Sequence, residues 1–137
     1  MAVITQAQAK DALLTGFNTG WADRTPVAWD NTKFSPPDTD PWVRFAIRMS
    51  ESEQDSLGRT GNRKFRRTGR VFVQIFQLNN EQGLTGGDTL TDAVLSVMEG
   101  NTFSGVYTLA GSPQEIGPSD KWWQINVSIP FWFQTTK

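Results

Sequence analysis

Neither cysteine nor histidine occurs anywhere in the 137 residues, and together the two absences remove most of the usual chemistry of active sites. Without cysteine there are no disulfides, thiolate nucleophiles or thiolate metal sites. Without histidine the commonest metal ligand and the usual general base near neutral pH are missing as well. Carboxylate-only chemistry survives in principle, as in glycosidases and magnesium sites. Its candidate here, Asp38 with Asp40 in a proline-rich stretch, has no third acidic ligand near it in sequence. The reading is of a protein that is not an enzyme and that takes no cofactor and no metal.

Long apolar runs are also missing. None approaches the roughly 20 residues needed to cross a bilayer, and Met1 to Lys10 lacks the charged-then-apolar order of a signal peptide. A soluble protein made in a cytosol, with no membrane partner, is the expectation. Charge of one sign is scarce too: the net value of -1 gives no whole-chain case for a nucleic-acid partner. Any electrostatic function has to be local.

What the chain does have is rings. Aromatics make up 12% of it, with 9 Phe and 6 Trp, and each can bury a large area. At this length a single domain over residues 1–137 is expected, since a split would leave pieces too small to bury much apolar surface.

Thr5 with Gln8 fits a capping box, and Ala9, Leu13 and Phe17 then recur at helical spacing, so a helix is predicted from Gln6 to about Asn18, with Gly20 as its stop. Val27 to Trp29 reads as a short strand, and Asp30 to Pro41 as a proline-rich loop. From Trp42, the residues Val43, Phe45, Ile47 and Met49 alternate with Arg44, Ala46, Arg48 and Ser50, the period of a half-buried strand. Strand character resumes from Arg63 to Leu78, giving a long hairpin whose tip, roughly Glu51 to Thr68, has almost nothing to bury and is expected to project.

Asn79 to Gly87 reads as a glycine-rich turn, followed by a second helix capped by Asp88 or Thr89, carrying Leu90, Val94, Val97 and Met98, and ended by Gly100. A phosphate-loop role for Gly83, Gly86 and Gly87 is rejected. The Gly-Lys-Ser/Thr ending is absent, and Asp88 and Asp92 would repel phosphate. Two last strands are predicted at about Thr102 to Ala110 and Lys121 to Thr135, separated by a turn-rich Gly111 to Asp120. The last strand puts Trp123, Ile125, Val127, Ile129, Phe131 and Phe133 on its core face, and Pro130 suggests an edge position or a bulge there.

Two local features stand out as candidates for function. Between residues 51 and 70, six basic residues (Arg59, Arg63, Lys64, Arg66, Arg67, Arg70) face three acidic ones (Glu51, Glu53, Asp55), so that segment is +3 in a chain of net -1. Either Glu51 and Glu53 pair across the hairpin with some of the arginines, or the surplus is aimed at an acidic neighbour, another subunit or the phosphates of DNA. With no ring in the segment beyond Phe65, a base-stacking nucleic-acid site is not expected. The second feature is a set of tryptophans on the non-core faces of their strands, Trp42, Trp122 and Trp132, either covered within the chain or offered to a neighbouring subunit.

The phrases WVRFAIR (Trp42 to Arg48), GRTGNRKFRRTGRVFVQIF (Gly58 to Phe76), LTDAVLSVM (Leu90 to Met98) and WWQINVSIPFWF (Trp122 to Phe133), taken in this order, resemble the tail terminator-like proteins of long-tailed bacteriophages. The resemblance implies an α+β fold: a mixed or antiparallel sheet with two helices packed on it, here with a long projecting basic β-hairpin. It implies that six copies close into a ring around the DNA channel at the head-proximal end of the tail tube. There the ring would end tube polymerisation and help join the head. The implied partners are other copies of the chain, the tail tube protein and a head-tail connector or neck protein, with non-specific contact to DNA in the channel. Another neck protein, a tube subunit and, further off, a small nucleic-acid-binding module are the alternatives.

Overall fold

A computed structural model describes residues 5–30, 32–79, 81–119 and 121–137, with the side chains of 81–85 and 119 left out of the description. Met1 to Ile4, and the Asn31, Asn80 and Asp120 positions of the predicted loops, lie outside the described residues.

The first helix, α1, spans Gln6–Trp21 and opens on the predicted capping box. Gln8 N–H donates to Thr5 Oγ1 at 3.2 Å and Thr5 N–H donates to Gln8 Oε1 at 3.0 Å, which satisfies two of the donors a helix start leaves free. Ala9, Leu13, Phe17 and Trp21, one turn apart, form its buried stripe. Gly20 does not stop it. A Cβ there would stand 2.6 Å from Val97 Cγ1, so this glycine lets two helices approach. Termination comes at Ala22, in the left-handed conformation (φ 52°), with its N–H on the Asn18 carbonyl.

The short strand β1, Val27–Trp29, lies parallel to β2, Trp42–Gln54. The third strand, β3, is Lys64–Leu78 and pairs antiparallel with β2, with a register break between Met49 and Ser52. The second helix, α2, is Glu81–Met98. It begins well before the predicted cap and takes in the segment read as a turn. The reason lies in packing: a Cβ on Gly86 would stand 2.9 Å from the Gln77 side chain, and one on Gly87 would stand 2.9 Å from Ile125 Cδ1. These glycines belong to a helix pressed onto the sheet.

The strand expected at Thr102 to Ala110 is instead a tiny hairpin, β4 at Thr102–Phe103 and β5 at Val106–Thr108, turned by Ser104 (φ 49°) and Gly105 (φ 93°). The stretch read as turns holds a further strand, β6, Ser112–Ser119, and the last strand, β7, is Trp122–Thr136. Strand β6 carries Pro113 and Pro118 and pairs only with β7 among the described residues. An edge place tolerates proline because one side of the strand needs no donors.

The seven strands form one mixed sheet in the order β1-β2-β3-β7-β5-β4, with β6 also on β7, curled as a half-barrel. Pro130 therefore sits in a strand paired on both sides, opposite Arg70 of β3, and not at an edge. Both helices cover one face. Their buried residues, among them Leu13, Phe17, Leu90, Val94 and Met98, meet Val43, Phe45, Val71, Val73, Ile75 and the predicted run Ile125, Val127, Ile129, Phe131 and Phe133. Each large side chain buried there stabilises by about 1.5–3 kcal/mol. Trp123, expected in the same run, is only partly buried at its margin.

The candidate assembly surface

The opposite face of the sheet is built quite differently. At one end, Phe34 from the proline-rich loop closes over Trp42, which stacks on Phe76 at 4.1 Å and meets Trp122 edge-on at 6.1 Å. Ala28 and Leu78 complete this second apolar cluster. Trp42 is 4% exposed and Trp122 9%. Of the two alternatives for the three tryptophans, Trp42 and Trp122 thus take the first and are covered within the chain, because the loop folds back over them. The loop's proline content marked irregular structure but gave no sign of where it would lie.

Beyond that cluster the face is open. Strand alternation places Arg44 and Arg48 of β2 beside Gln74 and Arg70 of β3, all pointing away from the helices. Arg48 is directly opposite Arg70 in the register. Its guanidinium is held by Asp30 at 2.6 Å, and the hydrogen bond and charge of that carboxylate raise its pKa above the ordinary arginine range. Arg70 donates to Ser128 Oγ at 2.8 Å, and the Arg44 guanidinium lies 5.7 Å from the Trp42 ring centre. Arg44 and Arg48 were not singled out from the sequence. The polar phase of WVRFAIR was visible there, but the register that sets Arg48 against Arg70 was not.

The remaining arginines do not stand on a free arm. Strand β3 pairs with β7 along its whole length, Lys64 with Thr136 included, and on its other side with β2 from Phe65 to Phe76 across the register break. Arg63 exchanges backbone hydrogen bonds with Lys137. In this hairpin the turn from Asp55 to Arg63, with Arg59 exposed in it, lies beyond the two strands. The expectation of a tip with almost nothing to bury is corrected in its second part: Glu51 to Asn62 are exposed apart from Ser56, whereas Arg63, Arg66 and Arg67 are half-buried. Arg66 lies 4.2 Å over the Trp132 ring, which itself stacks on Tyr107 at 4.6 Å. Arg67 and Arg63 flank Phe65.

The acid partner of this region is Asp55, 3.4 Å from Arg66 Nε without a good hydrogen-bond geometry, and also accepting from Gln134 Nε2 at 3.1 Å. Glu51 and Glu53 form no ion pair among the described residues, although Glu53 stands opposite Arg66. A half-exposed pair such as Arg66–Asp55 contributes only about 0.2–1 kcal/mol.

A surface of this kind, aromatic at one end and basic across the middle, is suited to meeting another macromolecule. A family model described as phage tail terminator protein matches residues 8–131. The chain belongs to that family. It is thus a structural protein of a bacteriophage tail, and no helix among the described residues is long and apolar enough to cross a membrane. No curated protein sequence matches it. A solved structure shares the fold at a TM-score of 0.65 and 19% identity, covering 93% of this chain and 97% of that one.

Proposed function

We propose that this tail terminator protein forms a ring, six copies on the family's pattern, that caps the head-proximal end of the tail tube, ends its polymerisation and helps join the head. The observation that carries this reading is the family match over residues 8–131. It is supported by a chain without cysteine or histidine, which has little with which to catalyse a reaction. It is also supported by a sheet face that both helices leave uncovered. A cap has to fit a tube end on one side and refuse a further tube subunit on the other, so its function resides in surfaces.

On this reading the protein works at the head-proximal end of the virion tail after assembly in the host cytoplasm. Its neighbours are the tube protein, a neck or connector protein and its own copies. The basic residues from Arg59 to Arg70 and the half-buried Trp132 serve subunit or DNA contacts, as a hairpin extending the sheet rather than as a separate arm.

The test is electron microscopy of a lysate from phage carrying an early stop codon in this gene. Free filled heads beside overlong, headless tails are expected. Tails of normal length, finished but unattached, would assign the protein to the neck. Absence of tails would assign it to the tube.

A further inference from the structure

We propose that the open basic face of the sheet docks on an acidic cleft of a second copy, between α2 and β6, and that this is the head-to-tail contact from which the ring is built. The inference rests on the ring proposed above. It starts from two groups of like charge, one of which the isolated chain answers only at Arg48 and the other not at all among the described residues.

The first is on the sheet. Arg48 and Arg70 are cross-strand partners, with Cα atoms about 5 Å apart in such a pair, and like charges directly opposite one another are destabilising. Asp30 answers Arg48. Among the described residues no carboxylate answers Arg70 or the neighbouring Arg44, and both are exposed.

The second is on the other side of the molecule. Asp88 and Asp92 line a cleft with Glu115, Pro113 and Leu95, and all three acids are exposed. Because α2 begins at Glu81, the two aspartates stand past its first turn. There they can neither cap the helix nor gain much from its dipole, which acts within about a turn of the end. Four residues apart, they are separated by about 6 Å along the axis and repel each other. Among the described residues no lysine or arginine lines the cleft. No group of acidic residues among those described is arranged to hold a metal ion.

The two arrangements answer each other. Arg44 and Arg70, which no carboxylate answers among the described residues, carry the charge opposite to that of Asp88 and Asp92 in the cleft, and arginine–carboxylate hydrogen bonds satisfy both. A nucleic acid fits the face less well, since Asp30, Glu53 and Asp55 are interspersed among its cations and would meet a continuous polyanion. A discrete acidic patch can avoid them. The face and the cleft are different surfaces, so the contact is heterologous, the kind that closes into rings.

The absence of cysteine from the chain makes cross-linking a clean test. Arg70→Cys and Asp92→Cys variants, each exposed and each made separately, are supplied together to phage lacking the gene, and the particles are oxidised. Mixed dimers are expected from the pair and none from either variant alone, with the doubly substituted chain giving a ladder up to the full ring. In parallel, Arg44→Glu with Arg70→Glu should weaken self-association about tenfold or more, as should Asp88→Lys with Asp92→Lys, and combining the four changes should restore it. Rings visible by microscopy without the mixed cross-link overturn this contact and leave the ring standing. Particles with no ring of this protein overturn the ring reading and the contact with it. If the arginine reversals instead abolish salt-dependent retention of duplex DNA while the aspartate reversals assemble normally, the face serves phosphates and the proposal is wrong.

Discussion

The ring of Phe131 lies across the bare backbone of Gly69, its partner in the register between β3 and β7. A Cβ on Gly69 would stand 2.6 Å from Phe131 Cζ and 2.6 Å from the Arg48 carbonyl oxygen. The ring can shift, but the carbonyl belongs to the sheet. Gly69→Ala is therefore expected to destabilise the fold by about 1–3 kcal/mol, the usual cost of overpacking. The shift in urea midpoint at constant slope measures it, and an unchanged midpoint would show that the strands part more easily than this register allows.

Trp42 and Trp132 lie on the same face but in different settings, and their truncations should separate. Trp42 is 4% exposed and holds Phe34, Phe76 and Trp122 together, so Trp42→Ala should cost about 3–5 kcal/mol. Trp132 is half-buried between Tyr107 and Arg66, and its loss should cost about 1–2 kcal/mol. Equal losses in chemical denaturation would mean that the loop around Phe34 is not closed over Trp42 in solution.

The arginines should divide in the same way. Arg59→Glu, on an exposed turn, should leave stability within about 0.5 kcal/mol. Arg66→Glu loses the Trp132 ring and faces Asp55, and should cost about 1 kcal/mol. Reversal of Arg63, Arg66 and Arg67 together should also reduce the yield of infectious particles. A normal plaque count from that triple variant would remove these residues from the assembly surface.

Stability should hardly depend on pH near neutrality. Histidine, the side chain that ordinarily titrates there, is absent. The Arg48 pKa is raised by Asp30, so the sign of its linkage is that stability is fully present below the unfolded pKa and is lost only as pH climbs through the folded one. Both lie far above neutrality. Melting temperatures between about pH 6 and pH 8 should therefore coincide within about 2 °C, and a steep slope in that window would reveal a perturbed carboxylate.

Periodicity in the sequence was enough for α1, β2, β3 and β7, because each shows its buried phase in unbroken alternation or helical spacing. It failed where one residue type serves two purposes. Gly86 and Gly87 look like a turn because glycine usually marks one, yet here the missing Cβ lets α2 lie close to Gln77 and Ile125. Pro113 and Pro118 look like loop residues, yet an edge strand accommodates them. The assembly surface was legible in part. Its arginines in the hairpin were evident from composition, whereas Arg44 and Arg48 joined them only once the β2–β3 register was known, and Trp42 and Trp122 left the surface once the loop was seen to fold back over them.

The two sides of the sheet differ in their capacity to recruit further strands. At β6, Pro113 and Pro118 each remove a backbone donor, so a strand arriving there finds an interrupted ladder. At the other margin β1 covers only Val43 to Phe45 of β2, and from Ala46 onward the outer edge of β2 carries no strand among the described residues. Unpaired edges of this kind template amyloid-like growth. If this subunit accumulates in an infected cell before tubes are ready for it, misassembly should begin along β2, and a lysine introduced at that edge would be the way to suppress it.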